Sequence, residues 1–197
     1  GKYRTRRFEV LAGRQGTHTR CLEYGYRFEI DLSEAYFSPR LATERQRIVG
    51  LQNEGEHVID MFAGIGPFAI VLARKAGYVL GVDINPGAIR LMVRNLHLNR
   101  ADNVIPMLAD AYHLPDLVSW TFDRVIMNHP TASIAFLPQG FRLCKPGGSI
   151  HLYLIQSYES EALAALQDYP VAEITERVVR SYSPGRWHAV YDIRKKS

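Results

Sequence analysis

The sequence predicts an α/β fold: a doubly wound parallel sheet that ends in an antiparallel hairpin, with a small β-rich segment in front. Three observations predict it. From residue 56 onward, short apolar runs of strand length alternate with stretches of helical spacing, which puts helices on both faces of a parallel sheet. The last two runs are joined by Ser183-Pro184-Gly185, turn residues that direct an antiparallel pairing. The first fifty residues follow neither rule and break at Gly13, Gly16 and Gly25, as hairpins do. The expected division is therefore a small β/α segment over 1–50 and a sheet domain over 51–197.

Taken in order, residues 3–11, 17–21 and 26–32 read as short strands. Residues 41–52 have helical spacing behind Pro39, with Ser38 or Thr43 as the cap. The alternation then begins. Strands are expected at 57–62, 78–82, 104–108, 123–127 and 149–155. Helices are expected at 67–75, 86–98, 134–143 and 159–167, and Pro67 and Pro86 suit a first helical turn, where a missing N–H costs nothing. The closing hairpin is expected to pair 171–182 with 187–194.

Composition narrows the classes. With 197 residues, 47% hydrophobic and 22% charged, the chain has the make-up of one globular domain and not of a disordered segment. Its longest uncharged stretch, 125–141, holds Asn128, His129, two prolines and Gln139, and falls short of the roughly 18 apolar residues of a membrane span. Cys21 and Cys144 make neither a metal cluster nor a disulfide framework, so no metal is expected and a reducing, cytoplasmic setting is the default. The basic stretch at 2–7 is followed by no apolar core of a signal peptide. Net charge is only +4, but the first twenty residues carry six basic side chains against Glu9, while the rest holds 18 basic and 19 acidic groups. Such an arginine cluster, with Arg4, Arg6 and Arg7 at its centre, reads either as a phosphate-contacting surface or as a solvated strand edge.

The ligand site is expected where the first strand meets its helix, in Asp60-Met-Phe-Ala-Gly-Ile-Gly-Pro-Phe68. Gly64 and Gly66 lack a Cβ, so the backbone can turn tightly and approach a ligand. Asp83, 19 residues after Gly64, ends the second strand in Gly-Val-Asp-Ile-Asn-Pro, where an acid bonds the hydroxyls of an adenosine ribose. Asp110 follows the third strand, and Asp60 stands two residues before Phe62. Each acid alone is as well explained by a turn or a helix cap. Three after three successive strands favour a ligand, and a carboxylate at the first turn repels a pyrophosphate while suiting a cationic sulfonium and amine. S-adenosyl-L-methionine is the cofactor that fits, and a doubly wound sheet finishing in a hairpin is the Rossmann-like arrangement of the class I enzymes that use it.

After the fourth strand comes Asn128-His-Pro-Thr, in a loop outside the carboxyl ends of the strands. It resembles the Asn/Asp-Pro-Pro-aromatic motif of amino-group methyltransferases without its second proline and aromatic, and it also reads as a plain turn. Several further segments resemble one family, the archaeal and eukaryotic tRNA (guanine(37)-N1)-methyltransferases: Tyr3-Arg-Thr-Arg6, Tyr36-Phe-Ser-Pro-Arg-Leu-Ala-Thr-Glu-Arg45, the glycine segment from Asp60, Asp83-Ile-Asn-Pro86, Asn128-His-Pro130 and Lys145-Pro-Gly-Gly-Ser-Ile-His151. The resemblance implies that tRNA is the partner and that Glu44 is the general base, with Arg4 stabilising charge on the guanine O6. It puts Asn128, Pro130 and Tyr36 around the base, and Arg40, Phe62, Gly64, Asp83 and Asp110 at the cofactor. By spacing alone, Glu44 reads better as a surface glutamate paired with Arg47 three residues on, and only the resemblance reverses this. The family usually has leucine where this chain has His129, which either contacts the base or fills space. Members often begin with a separate tRNA-gripping domain that is not read here, which leaves tRNA contact to the first arginines, Arg194, Lys195 and Lys196.

The implied chemistry is coherent. Guanine N1 carries a proton and becomes a nucleophile only when a base removes it and a cation holds the charge pushed onto O6. A sister enzyme of wyosine biosynthesis shares the fold and cofactor but transfers the aminocarboxypropyl group, and the Asn-x-Pro loop argues against it. Methylation of carbon 7 of a wyosine precursor, a non-catalytic RNA-binding module and a small-molecule methyltransferase remain as alternatives.

Overall fold

A computed structural model describes residues 16–197; the expected strand at 3–11, with Arg4, Arg6 and Arg7, lies outside the described residues. Strands β1 (His18–Glu23) and β2 (Tyr26–Asp31) form a hairpin closed by Tyr24 and Gly25. Both turn residues have positive φ, 46° and 88°, as a two-residue turn between right-twisted strands requires. Helix α1 (Ala42–Leu51) follows. Neither expected cap is used. The chain enters α1 through a tight turn over Pro39–Leu41, and the Ala42 N–H bonds the Pro39 carbonyl, so no side-chain acceptor is needed.

The sheet domain runs β3 (His57–Asp60), α2 (Pro67–Ala73), β4 (Tyr78–Asp83), α3 (Pro86–Asn99), β5 (Val104–Leu108), α4 (Leu114–Leu117), β6 (Phe122–Met127), α5 (Leu137–Leu143), β7 (Cys144–Gln156), α6 (Leu163–Leu166), β8 (Val171–Ser183) and β9 (Arg186–Lys195). Strand order is β5-β4-β3-β6-β7-β9-β8, parallel from β5 to β7, with β9 antiparallel to both neighbours. Winding reverses between β3 and β6, so their carboxyl ends flank a crevice. Two expectations fail in detail. The helix at 159–167 contracts to α6, because Glu161 and Glu176 accept the backbone N–H groups of Ser157 and Ser160 and hold that stretch as a loop. The short α4 was not expected, since four residues show no periodicity.

The boundary expected after residue 50 falls at the end of α1, and side chains from both sides of it enter one core. Phe28, Ile30 and Ile48 pack with Phe68, Met92 and Tyr153 on one face of the sheet, while Ile59, Phe122, Leu137 and Tyr191 belong to the cluster on the other. Two asparagines on one face of α3 fasten the hairpin to it. Asn95 accepts from the Glu29 N–H at 2.7 Å and donates to its carbonyl at 3.1 Å; Asn99 does the same for Arg27 at 2.9 and 2.7 Å. Four residues along a helix thus match two along a strand, and the side chains imitate a neighbouring strand. Among the described residues no helix is long and apolar enough to cross a membrane, and no cluster of His, Cys, Asp and Glu is placed to hold a metal ion.

Candidate active site

The crevice between β3 and β6 opens into a cavity of about 300 Å³. Its floor is the turn after β3. Gly66 starts α2 with φ 88°, and a Cβ there would lie 2.8 Å from Met92 Cγ, so only glycine fits. Gly64, at φ 57°, donates its N–H to Asp83 Oδ2 at 2.8 Å, and the Asn85 N–H takes the other oxygen at 2.8 Å. These two bonds hold the Asp83 carboxylate at the end of β4, and burial pushes its pKa up against them. Asp60 is 1% exposed and, from the described residues, receives only a long bond, 3.3 Å, from the Phe62 N–H. Burial first, and the nearby Asp83 charge second, raise its carboxyl to about 7 against the opposing pull of that bond and of Arg45. Asp110 caps the turn after β5 through the Tyr112 N–H at 3.0 Å and also lines the cavity, so the cap does not take it away from the site.

A strap, residues 35–38, crosses above. Tyr36 O lies 3.8 Å from where a Gly64 Cβ would sit. The strap is held from below by Arg45, 1% exposed, which bonds the Ser38 carbonyl at 3.3 Å, lies over the Phe37 and Phe68 rings and pairs with Glu23 at 2.6 Å. From the side, Asn85 donates to the Glu34 carbonyl at 2.6 Å.

The other half of the cavity is built by the loop after β6 and the closing hairpin. Asn128 Oδ1 is buried and accepts no hydrogen bond from a described residue. The Pro130 carbonyl takes the Ile155 N–H at 2.9 Å, and Ser133 Oγ accepts the His129 N–H at 3.1 Å, which fixes the loop. Phe62 meets the rings of His129 and Phe136 edge-on at 5.1 and 5.0 Å, so His129 packs into the wall. Arg180, Tyr182 and His188 complete it.

Of the residues expected from sequence, Tyr36, Asp60, Phe62, Gly64, Asp83, Asp110, Asn128 and Pro130 share this cavity, and Gly66 supports it from behind. Arg40 and Glu44 do not line it. In the tight turn before α1, Leu41 faces the core, which leaves Arg40 exposed; the buried arginine of the cavity is Arg45. Glu44 is buried behind the wall. Its carboxylate takes two bonds from Arg47, 2.9 and 2.7 Å, and one from the Tyr153 hydroxyl at 2.8 Å. Arg47 in turn holds Asp192 at 2.7 Å, and Asp192 takes His151 Nδ1–H at 2.6 Å. His151 Nε2 meets Arg124, which can only donate, so the imidazole is neutral with its proton on Nδ1. The pairing of Glu44 with Arg47 is the one its spacing suggests.

Sequence reasoning missed Arg45, Phe136, Arg180, Tyr182 and His188. For Arg45 a signal existed, because residues 41, 44, 45 and 48 share one helical face and two of them are charged between Leu41 and Ile48. For the hairpin residues there was none, since only the pairing of β9 against β7 carries them to a loop some fifty residues earlier in the chain.

A sheet of this order, an acid-lined cleft at its reversal point and a closing antiparallel hairpin define a class I methyltransferase domain. A family model described as the TRM5/TYW2 methyltransferase domain matches residues 19–178, and the chain belongs to that family. It is similar to the tRNA (guanine(37)-N(1))-methyltransferase Trm5b of Pyrococcus abyssi, 39% identical over 98% of this chain and 60% of the relative. It is also similar to a tRNA(Phe) (4-demethylwyosine(37)-C(7)) aminocarboxypropyltransferase of Methanocaldococcus jannaschii, 35% identical over 98% of this chain and 81% of the relative. The crystal structure of M. jannaschii TYW2 in complex with AdoMet superposes with a TM-score of 0.83 at 32% identity, covering 96% of this chain and 90% of that one. The chain spans about three fifths of the length of the Trm5b relatives it matches.

Proposed function

We propose that this chain is the catalytic part of an enzyme that methylates N1 of guanosine 37 in tRNA with S-adenosylmethionine as donor. The observation that carries the reading is the orphaned Asn128 Oδ1, a buried acceptor in the cavity that also holds Asp60, Asp83 and Asp110. A guanine edge presents the N–H groups that such an acceptor needs. The named activity of the Trm5b relative supports it.

The residues present fit the cofactor. Asp60 is a buried carboxyl short of partners, and a cation beside it relieves the cost of its charge. Asp83 would hold the ribose hydroxyls, Asp110 the adenine amino group, and the Phe62–Gly64 turn the amino-acid end. When bound, S-adenosylmethionine supplies a methyl group made electrophilic by its sulfonium. The chain supplies alignment, a dry pocket and proton removal. Tyr36 and Pro130 flank the base, and Arg4, beyond the described residues, would hold the charge on O6. Glu44 remains the proposed base. To act, its carboxylate must turn from behind the wall into the cavity, leaving Arg47 and the Tyr153 hydroxyl for the guanine N1–H, and Asp192 gives Arg47 a second carboxylate to rest on when it does.

The test is incubation with labelled S-adenosylmethionine and tRNA carrying G or A at position 37, followed by mass spectrometry of the nucleosides. Methylation at N1 that depends on G37 is expected. A second reading, aminocarboxypropyl transfer to a wyosine precursor, is favoured by the similarity to the M. jannaschii aminocarboxypropyltransferase. That adduct on tRNA carrying the precursor at position 37, with no methylation of tRNA carrying G37, would overturn the first reading.

A further inference from the structure

On the side of the domain away from the cleft lies a second groove, between the β1–β2 turn, α1 and the carboxyl-terminal ends of α2 and α3. It is lined by Arg27, Arg74 and Arg100, with Tyr24, Tyr26 and Gln46 beside them, and by no carboxylate among the described residues. All three arginines are exposed, and none makes an ion pair with a described residue. Of the other exposed arginines, Arg20, Arg90 and Arg142 pair with Glu29, Glu34 and Asp116, whereas Arg40, Arg94, Arg177, Arg186 and Arg194 make no ion pair with a described residue; what sets Arg27, Arg74 and Arg100 apart is that they share one groove. Arg74 and Arg100 stand at helix carboxyl ends, where positive charge offsets the helix dipole. That accounts for two of the three. Arg27 belongs to a strand, and its backbone is held on both N–H and carbonyl by Asn99, so its position is fixed before any ligand arrives.

We infer that this groove binds the sugar–phosphate backbone of the tRNA at a distance from the nucleotide being modified. The inference rests on the tRNA reading above. Arginine forks match phosphate oxygens, and no carboxylate lines the groove to compete with them. The cleft lies at the amino-terminal ends of α2 and α3 and the groove at their carboxyl-terminal ends. The fourteen residues of α3 therefore set about 20 Å between the two. A tRNA with one loop in the cleft therefore reaches the groove only with a part of its backbone at least that far from the modified nucleotide.

The experiment compares the full chain with a variant carrying Arg27→Gln, Arg74→Gln and Arg100→Gln, and with Arg27→Gln alone. In the triple variant tRNA affinity falls about tenfold or more, and the slope of log affinity against log salt flattens by about two to three, close to one for each phosphate no longer neutralised. Arg27→Gln alone flattens it by about one, which helix-dipole compensation does not predict. Cofactor affinity stays as in the parent chain in both variants; thermal stability stays so in Arg27→Gln and falls slightly in the triple variant, which loses two helix-end charges. On an RNA hairpin too short to reach the groove, parent and variants behave alike. Unchanged tRNA affinity and salt slope in a variant, with the parent methylating tRNA normally, overturn the groove alone. A parent chain that does not act on tRNA overturns the functional reading and this inference with it.

Discussion

At the scale of single residues, Asp60 and Glu44 make opposite demands. Asp60 is a carboxyl whose folded-state value, about 7, stands above its ordinary one. Its contribution to stability is complete at pH values below the ordinary carboxylate range and is lost as pH rises through 7. Asp60→Asn should therefore make the ligand-free protein more stable at pH 8 by about 2–4 kcal/mol, with little effect at pH 4, while weakening cofactor binding. Urea titrations at the two pH values check this, and a less stable variant at pH 8 would refute it. In the parent chain, affinity for the cationic cofactor should climb with pH up to about 7 and then level off, because binding requires the ionised form. Glu44→Gln should lower turnover on tRNA by about a hundredfold and leave cofactor affinity unchanged. An undiminished rate would leave Glu44 as the anchor of Arg47 and nothing more. Asp60 and Asp83 were legible in the sequence because each sits at a strand end beside a glycine turn or helix start. The surroundings of Glu44 were only half legible: the i,i+3 spacing showed Arg47, but Tyr153 and Asp192 come from strands more than a hundred residues away.

At the scale of elements, the turn from β3 into α2 is the least replaceable. Gly66→Ala meets both a left-handed φ and Met92 Cγ, and should cost about 2–3 kcal/mol in urea titrations. Gly66→Ala with Met92→Ala should recover the steric part of that loss only in so far as it exceeds the new cavity. If Gly66→Ala is as stable as the parent, the turn is not constrained as described. Strand and helix order from β3 to β9 could be read from periodicity because each run is long enough to repeat. The entry into α1, the loss of most of the helix at 159–167 and the docking of β2 on α3 could not. They depend on Asn95, Asn99, Glu161 and Glu176 meeting backbone groups distant in sequence or on competing local bonds.

At the scale of the whole molecule, a line of buried and half-buried polar groups crosses the sheet face: Glu44, Arg47, Asp192, His151, Arg124 and Glu56. It ties α1 to β9, β7, β6 and the start of β3. Burial pushes Asp192 up, but His151 and Arg47 outweigh it and hold the carboxyl at about 2. The stabilisation is present above the ordinary carboxylate range and is lost as pH falls through 2. Asp192→Asn should cost about 2 kcal/mol at neutral pH and blunt acid unfolding between about pH 4 and 2, as a pH series of thermal melts would show; a variant with the parent's acid profile would count against it. The strap at 35–38 has a kinetic meaning as well. It passes over the turn after β3, where the proposed donor would sit, and lines the same cavity as Asn128 and Pro130, where the proposed nucleotide would sit, so one run of backbone would answer to two guests. Substitutions at Tyr36 or Ser38 should shift the apparent KM of both reactants together, and variants that move one while sparing the other would show that the strap serves only one of them.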